Sequence, residues 1–243
     1  MTVVIVARNR TPEVDVTMTA LVGKRVKRRE DPRLLRGDCT FVADITLPGM
    51  VHCAVLRSPH AHALITHLDV SAARVHPGVV DILTAQDVAE LGRLPVPVPS
   101  PFLDPEMPYP LALDEVAHVG QAVAIVAADS RYIAEDALEL IEIEYEEVDA
   151  IVGAQTALEA DAPRVHRRRS TNLAGHVRQS VGDVDRAFAV ADRVVEVQLS
   201  MGRVSGQPLE TRGVVANYEP SRDRERLMVW ASTQVPHTVQ RTL

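Results

Sequence analysis

Short apolar runs separated by turn residues predict an α+β fold for the first half of the chain. The run Met50 to Leu56 follows the turn signal Pro48-Gly49 and has the length of a buried strand. We expect it to form an antiparallel hairpin with a strand over Cys39 to Ile45. The pattern then predicts a strand over Ala63 to Val70, a short helix from Ser71, a strand over Val79 to Leu83 and a helix over Ala85 to Leu91.

A strand, a helix and another strand are predicted next. Gln121 to Ala127 is continuously apolar, Ser130 to Leu140 has an apolar face at helical spacing, and Ile141 to Val148 alternates strictly. Such a unit is expected to be parallel and right-handed. Residues 149–182 show little apolar periodicity and are expected to contain a domain boundary.

A second domain is predicted from Asp183, which can cap a helix. Its strands are expected over Val194 to Leu199, Val214 to Tyr218 and Leu227 to Ala231. The segment Ser232 to Pro236 opens a final helix, and the sequence ends at Leu243. Three strands and one short helix leave an apolar face uncovered, so the second domain is expected to be incomplete.

Composition and charge narrow the classes of function. Of the 243 residues, 46% are hydrophobic and 24% are charged, which is typical of a soluble globular protein. A net charge of -7 argues against a general nucleic-acid binder. No apolar run approaches a membrane span, and no signal peptide is recognisable, so a cytoplasmic location is expected. Cys39 and Cys53 are too few to hold an iron–sulfur cluster.

Two groups of side chains have the character of metal ligands. His60 and His62 share a face if the chain is extended, but they lack a third ligand, so hydrogen-bonded loop histidines are the preferred interpretation. Glu142, Glu144 and Glu146 share a strand face and suit a hard cation, but a solvated face explains them too. No metal site is therefore predicted.

Two surface segments are also distinctive. Residues 24–36 contain seven basic positions, which fit either a targeting or nucleic-acid patch or, as we prefer, an arm lying across an acidic protein surface. Leu34-Leu35 in this arm is expected to need burial. Residues 95–110 contain seven prolines and are interpreted as an ordered surface connector rather than a ligand for a proline-reading domain.

A series of short motifs extends along the chain. In order they are Glu30-Asp31-Pro32-Arg33-Leu34-Leu35-Arg36-Gly37, Leu47-Pro48-Gly49-Met50, Arg57-Ser58-Pro59-His60-Ala61-His62-Ala63, Pro77-Gly78-Val79-Val80, His118-Val119-Gly120-Gln121-Ala122-Val123-Ala124, Ala134-Glu135-Asp136-Ala137, Gly182-Asp183-Val184-Asp185-Arg186-Ala187-Phe188 and Ser232-Thr233-Gln234-Val235-Pro236-His237. Together they resemble the molybdopterin-binding large subunit of the xanthine dehydrogenase and aldehyde oxidase family, closest to its carbon monoxide dehydrogenase-like members.

The resemblance implies a domain organisation and a set of cofactors. It implies that residues 22–150 form the α/β hammerhead domain and that 176–243 begin the first molybdenum-cofactor-binding domain. Residues 1–21 and 151–175, which lack apolar periodicity, are interpreted as an arm and a linker. The complete enzyme would hold a molybdopterin cytosine dinucleotide. The resemblance also implies that FAD and the 2Fe-2S clusters lie on a medium and a small partner subunit. The two cysteines of this chain, which cannot ligate the clusters, are consistent with that arrangement.

One cofactor contact follows from the resemblance. Gln234 matches the glutamine that hydrogen-bonds the apical oxygen on molybdenum, and a side-chain amide is a suitable donor. The family's Gly-rich cofactor loop and its glutamate base have no counterpart here, so no catalytic residue is assigned. The chain is therefore interpreted as the N-terminal portion of a molybdenum hydroxylase large subunit, inactive alone. A noncatalytic hammerhead scaffold and a degenerate gene fragment remain alternatives.

Overall fold

The chain folds into two compact units. The computed structural model describes residues 2–5, 23–96, 100–202, 204–220 and 225–243. Unit A comprises Thr46–Val177 and His237–Leu243, and unit B comprises Met1–Ile45 and Arg178–Pro236. Most of the N-terminal arm predicted over residues 1–21 lies outside the described residues.

Short strands and helices alternate along the described residues. The strands are β1 Thr2–Ile5, β2 His52–Arg57, β3 Ala63–Asp69, β4 Val79–Thr84, β5 Glu115–Val116, β6 Ala122–Ala128, β7 Glu142–Glu147, β8 Val195–Gln198, β9 Val214–Glu219 and β10 Arg226–Ala231. The helices are α1 Asp31–Arg36, α2 Ser71–Arg74, α3 Arg131–Leu138, α4 Val184–Ala189 and α5 Pro236–Thr242, with 3-10 turns at Val42–Asp44, Ala89–Leu91 and Thr156–Leu158. The predicted α+β class is confirmed.

Unit A contains two antiparallel sheets of three strands each, ordered β2-β6-β4 and β5-β3-β7. The first sheet packs against α3, and the core between them includes Ile82, Val126, Ala134 and Ala137. A second cluster of Ala63, Ala112, Val116 and Val123 lies against the other sheet. The apolar run of β6 reflects its central position, because a central strand covered on both faces needs no polar side chains.

Helix α3 begins and packs as its sequence predicts. Ser130 is its N-cap, and the Ser130 hydroxyl accepts the Ile133 N–H at 3.2 Å. Its buried residues are Ala134 and Ala137, which lie three apart on one face. Gly78 approaches this helix with φ +87, and a Cβ there would lie 2.7 Å from Ile133 Cδ1. The positive φ favours glycine at this turn, and any Cβ would also displace the end of the Ile133 side chain.

The predicted hairpin of residues 39–45 with 50–56 is wrong. Strand β2 pairs with β6, from His52 opposite Ala128 to Arg57 opposite Ala122. The earlier segment forms the 3-10 turn Val42–Asp44, because the Asp44 carboxylate accepts the Phe41 N–H at 2.8 Å. This side-chain hydrogen bond satisfies a backbone donor that a strand ladder would have used.

The predicted parallel strand, helix, strand unit is also wrong in its topology. All three elements form, but β6 lies in one sheet and β7 in the other, and both have antiparallel neighbours. Helix α3 therefore connects two different sheets. Periodicity predicts each element from local sequence but contains no information on the strand that pairs with it.

The helix predicted over Ala85 to Leu91 shortens to the 3-10 turn Ala89–Leu91. Asp87 is the reason: its Oδ2 atom accepts the Thr84 N–H at 2.6 Å and the Thr84 hydroxyl at 2.7 Å. These bonds hold a tight turn directly after β4, in place of the first helical turn.

Unit B contains two antiparallel strand pairs, β1 with β8 and β9 with β10. The three strands predicted for the second domain are confirmed. The predicted final helix also forms, as α5, although all of it after Pro236 belongs to unit A. Asp183 caps α4 as predicted, with its carboxylate accepting the Arg186 N–H at 2.9 Å. The expected burial of both leucines in the basic arm is wrong, because Leu35 on α1 is 87% exposed.

Among the described residues, no helix combines the length and the apolarity that a membrane crossing requires.

Candidate functional site

The candidate cofactor contact, Gln234, lies in an ordered turn of unit B between β10 and α5. The turn is held to the segment before β9 by Ser232. The Ser232 hydroxyl accepts the Gly213 N–H at 2.8 Å and donates to the Thr211 carbonyl at 3.1 Å, and the Ser232 N–H donates to the Gly213 carbonyl at 3.1 Å. These bonds fix the backbone two residues before Gln234.

A second side chain shapes the same turn. The Thr233 hydroxyl accepts the Val235 N–H at 3.1 Å, which curls the chain around Gln234 before Pro236 starts the helix. Gln234 is exposed, and its amide forms no hydrogen bond with the described part of the chain. The amide is therefore available as a donor, which is the chemistry that an oxo ligand of molybdenum requires.

The two histidines of the Arg57 to Ala63 motif contact different residues. His62 is 6% exposed, and its Nε2 and Nδ1 atoms lie 2.7 Å from Glu115 Oε1 and 2.9 Å from the Asp149 carbonyl. His60 Nδ1 lies 3.3 Å from Glu147 Oε1, and its ring contacts Tyr145 at 4.7 Å between centroids. The preferred interpretation, hydrogen-bonded loop histidines, is confirmed for His62, whose hydrogen bonds join the segments around β3, β5 and β7.

Unit A also contains a cavity of about 330 Å³. Sequence patterns did not reveal it, because its walls come from four separate stretches of the chain. Its lining residues are Arg93, Glu106, Pro108, Tyr109, Ala112, Leu113, Asp114, Glu115, Ala117, His118, Gln121, Val165, His166 and Arg168. The one feature of the sequence that could have indicated this cavity is the basic run Arg167 to Arg169, which can pair with acidic residues elsewhere in the same domain.

Charged groups on the cavity wall are largely paired with one another. Arg93 lies 4.6 Å above the Tyr109 ring and contacts Glu106 at 2.5 Å. Arg168 contacts Asp114 at 2.7 Å. Burial lowers the pKa of His166, with the nearby Glu106 carboxylate acting in the opposite direction. This arrangement favours a neutral imidazole and internal ion pairs, which stabilise the cavity wall rather than attract a strongly charged ligand.

The two segments interpreted as connectors, residues 95–110 and 151–175, contact each other. Leu103 bridges to Gly175, and Asp104 pairs with Arg169 at 2.9 Å. The proline-rich stretch is thus confirmed as an ordered connector where it is described, although residues 97–99 lie outside the described residues. Residues 151–175 lie within unit A, and their role as a linker remains a prediction.

Known protein families match most of the chain. Residues 36–149 match the aldehyde oxidase and xanthine dehydrogenase a/b hammerhead domain, and residues 165–243 match the molybdopterin cofactor-binding domain. The nicotine 6-hydroxylase large subunit of Paenarthrobacter nicotinovorans is 38% identical over 224 residues, which cover 92% of this chain and 27% of that protein. The carbon monoxide dehydrogenase large chain of Afipia carboxidovorans is 34% identical, and the match covers 28% of that protein.

Solved structures give the same result. Quinoline 2-oxidoreductase from Pseudomonas putida 86 is 41% identical, with a TM-score of 0.77 over 90% of this chain and 28% of that one. The Cu,Mo-containing carbon monoxide dehydrogenase is 34% identical, with a TM-score of 0.73. The chain spans only 27% of the length of the nicotine 6-hydroxylase large subunit. It belongs to the aldehyde oxidase and xanthine dehydrogenase family, of which it contains the a/b hammerhead domain and part of the molybdopterin cofactor-binding domain.

Proposed function

We propose that this chain is the N-terminal portion of a molybdenum hydroxylase large subunit, which oxidises a small molecule with oxygen derived from water. The ordered match to both family domains supports this function most directly. Because the chain spans 27% of a relative's length, activity requires the remaining large-subunit sequence. The predicted domains, 22–150 hammerhead and 176–243 cofactor-binding, belong to this proposal.

Gln234 is proposed to contact the cofactor, a molybdopterin cytosine dinucleotide. When bound, that group supplies the redox chemistry of substrate oxidation. The contribution of this chain is a hydrogen bond from the Gln234 amide to an oxygen on the metal. Ser232 and Thr233 fix the backbone of the turn from which the Gln234 side chain extends.

Partner subunits complete the proposal. The family resemblance implies 2Fe-2S clusters on a small subunit and FAD on a medium subunit. Cys39 and Cys53 are consistent with this, because a cluster takes four cysteine ligands. One relative is named as a large subunit and another as subunit gamma of a dehydrogenase complex. A reducing cytoplasm suits a chain whose two cysteines are both free.

The experiment that tests this function uses the chain with the rest of the large subunit and both partner subunits. Purified complex is incubated with a panel of N-heterocycles, purines, aldehydes and carbon monoxide in ¹⁸O-labelled water. We expect one substrate class to acquire the label, with reduction of an artificial electron acceptor. Failure to oxidise any class, in a complex that contains molybdenum, would contradict the proposed reaction.

A second candidate, the noncatalytic hammerhead scaffold, is favoured by apolar side chains that unit B exposes. Val214, Tyr218 and Leu227 on the β9–β10 pair are 67%, 54% and 51% exposed. An exposed apolar group of this kind is typical of a surface that another chain covers. Light scattering after size exclusion tests it: a stable complex with partner subunits but without molybdenum supports the scaffold, and a lone monomer contradicts it.

A further inference from the structure

Three side chains with metal-ligand chemistry meet on the outward face of the β3–β7 ladder in unit A. His67 and Asp69 lie on β3, and Glu142 lies on β7. One ligand atom from each lies within 4.8 Å of the others. The sequence indicated only the glutamates of β7, because the histidine and the aspartate are more than 70 positions earlier in the chain.

A β-bulge brings the histidine to this face. Register shifts between Ile65, which is opposite Tyr145, and His67, which is opposite Glu144. Both Ile65 and Leu68 pack on the core, three positions apart, which strict alternation does not allow. The bulge absorbs the extra residue, so His67 and Asp69 point outward together.

The carboxylates at this position have no positive partner. Asp69 is directly opposite Glu142 in the ladder, which places two like charges at the closest cross-strand distance. Within the described residues, none of Asp69, Glu142, Glu144 and Glu146 forms an ion pair with lysine or arginine. The Ser71 N–H donates a hydrogen bond to Asp69 Oδ1 at 2.8 Å, which orients this carboxylate.

We propose that His67, Asp69 and Glu142 bind a divalent transition-metal ion of the zinc class, separate from the molybdenum cofactor. An imidazole with two carboxylates suits Zn²⁺, whereas Mg²⁺ and Ca²⁺ favour all-oxygen sites. Two ligand atoms that each lie about 2.1 Å from one ion are at most about 4.2 Å apart. The most distant ligand atoms of this group must therefore approach each other by roughly half an ångström when the ion binds. Rotation of the long, exposed Glu142 side chain provides that movement.

The ion would act as a clip across the two strands. It neutralises the opposed carboxylates and joins β3 to β7, and both effects stabilise the folded ladder. This site does not depend on the proposed hydroxylase function, because its ligands all belong to unit A and none contacts the cavity. Its loss and a loss of molybdenum are therefore separate observations.

Calorimetric titration of the 243-residue chain with zinc chloride, after treatment with EDTA, tests the site. Because other histidines can bind zinc, the quantity compared is the number of zinc ions bound per chain in each variant and in the wild type. His67→Gln and Glu142→Gln should each remove one equivalent or weaken it at least about tenfold. Glu146→Gln is the matched control: it removes the same charge from the same strand, about 13 Å away, and should leave binding unchanged.

Thermal unfolding of the same proteins separates metal binding from folding. Zinc should raise the unfolding midpoint of the wild-type chain and of Glu146→Gln, but not that of Glu142→Gln. Without metal, Glu142→Gln should be at least as stable as wild type, because it removes a like-charge contact. If His67→Gln and Glu142→Gln both bind as many equivalents of zinc as the wild-type chain, and as tightly, the three residues are a solvated face and the proposal is overturned.

Discussion

The buried His62 ring lies 2.7 Å from the Glu115 carboxylate through Nε2. Its other nitrogen, Nδ1, lies 2.9 Å from the Asp149 carbonyl. A carbonyl oxygen can only accept, so Nδ1 donates to Asp149, while Nε2 faces a carboxylate oxygen of Glu115. A side chain in the Arg57 to Ala63 motif thus connects β5 with the end of β7, segments that are distant in sequence.

Replacing His62 is expected to destabilise unit A substantially. His62→Ala leaves the Glu115 carboxylate, with a side chain only 16% exposed, with the Arg167 N–H at 3.3 Å as its remaining partner. Removing one partner of a hydrogen bond to a largely buried group costs about 2 kcal/mol of unfolding free energy. Urea denaturation measures the loss. The exposed His52→Ala change should cost less than about 0.5 kcal/mol, and equal losses in both variants would refute the special role of the pair.

The glycine at the turn before β4 provides a second prediction. Gly78→Ala places a methyl group 2.7 Å from Ile133 Cδ1 at a residue with φ +87, so we expect about 1–3 kcal/mol of destabilisation. Gly206→Ala is the control, since a Cβ there meets no atom within 4 Å and φ is not positive. Comparison of unfolding midpoints decides; a Gly78→Ala chain as stable as Gly206→Ala would show that the turn relaxes without cost.

Stability should depend on pH through His166. Burial lowers the pKa of this imidazole below its ordinary 6.5, so the unfolded chain binds the proton more readily than the folded chain. The stabilising contribution is complete above pH 6.5 and is lost as the pH falls through the folded-state value. His166→Gln should therefore show a shallower loss of unfolding free energy on acidification. Identical slopes for His166→Gln and wild type would contradict this account.

Local sequence patterns predicted the elements that local forces determine. The apolar run of β6, the apolar face of α3 and the caps Ser130 and Asp183 are features of neighbouring residues, and all were found. The pairing of β2 with β6 could not be predicted in the same way. Antiparallel partners are chosen by packing between residues far apart in the chain, which periodicity does not report.

The side-chain clusters show the same limit. Glu115 lies 53 positions after His62, and the sequence contains no signal that joins them. The β-bulge that aligns His67 with Asp69 also depends on cross-strand register. By contrast, Gln234 was identified because its motif is contiguous. Its turn is ordered by the neighbouring Ser232 and Thr233, whereas its cofactor contact remains a proposal.

Gln234 is expected to affect molybdenum binding without affecting the fold. In the complete complex, Gln234→Ala removes the proposed donor to the metal-bound oxygen and should lower molybdenum affinity or turnover about tenfold or more. The exposed Gln240→Ala change on α5 removes the same amide a few residues away and should behave as wild type. Metal analysis and the absorption spectrum are both measured. Parallel losses in the two variants would attribute the effect to the helix rather than to the contact.

The most direct test of the central claim is the molybdenum content of the purified complex. The chain is produced with the remaining large-subunit sequence and both partner subunits, with a parallel preparation that lacks this chain. If it forms part of a molybdenum hydroxylase large subunit, mass spectrometry should find about one molybdenum atom per copy, and none without the chain. Molybdenum-free complex in every combination of subunits would contradict the account.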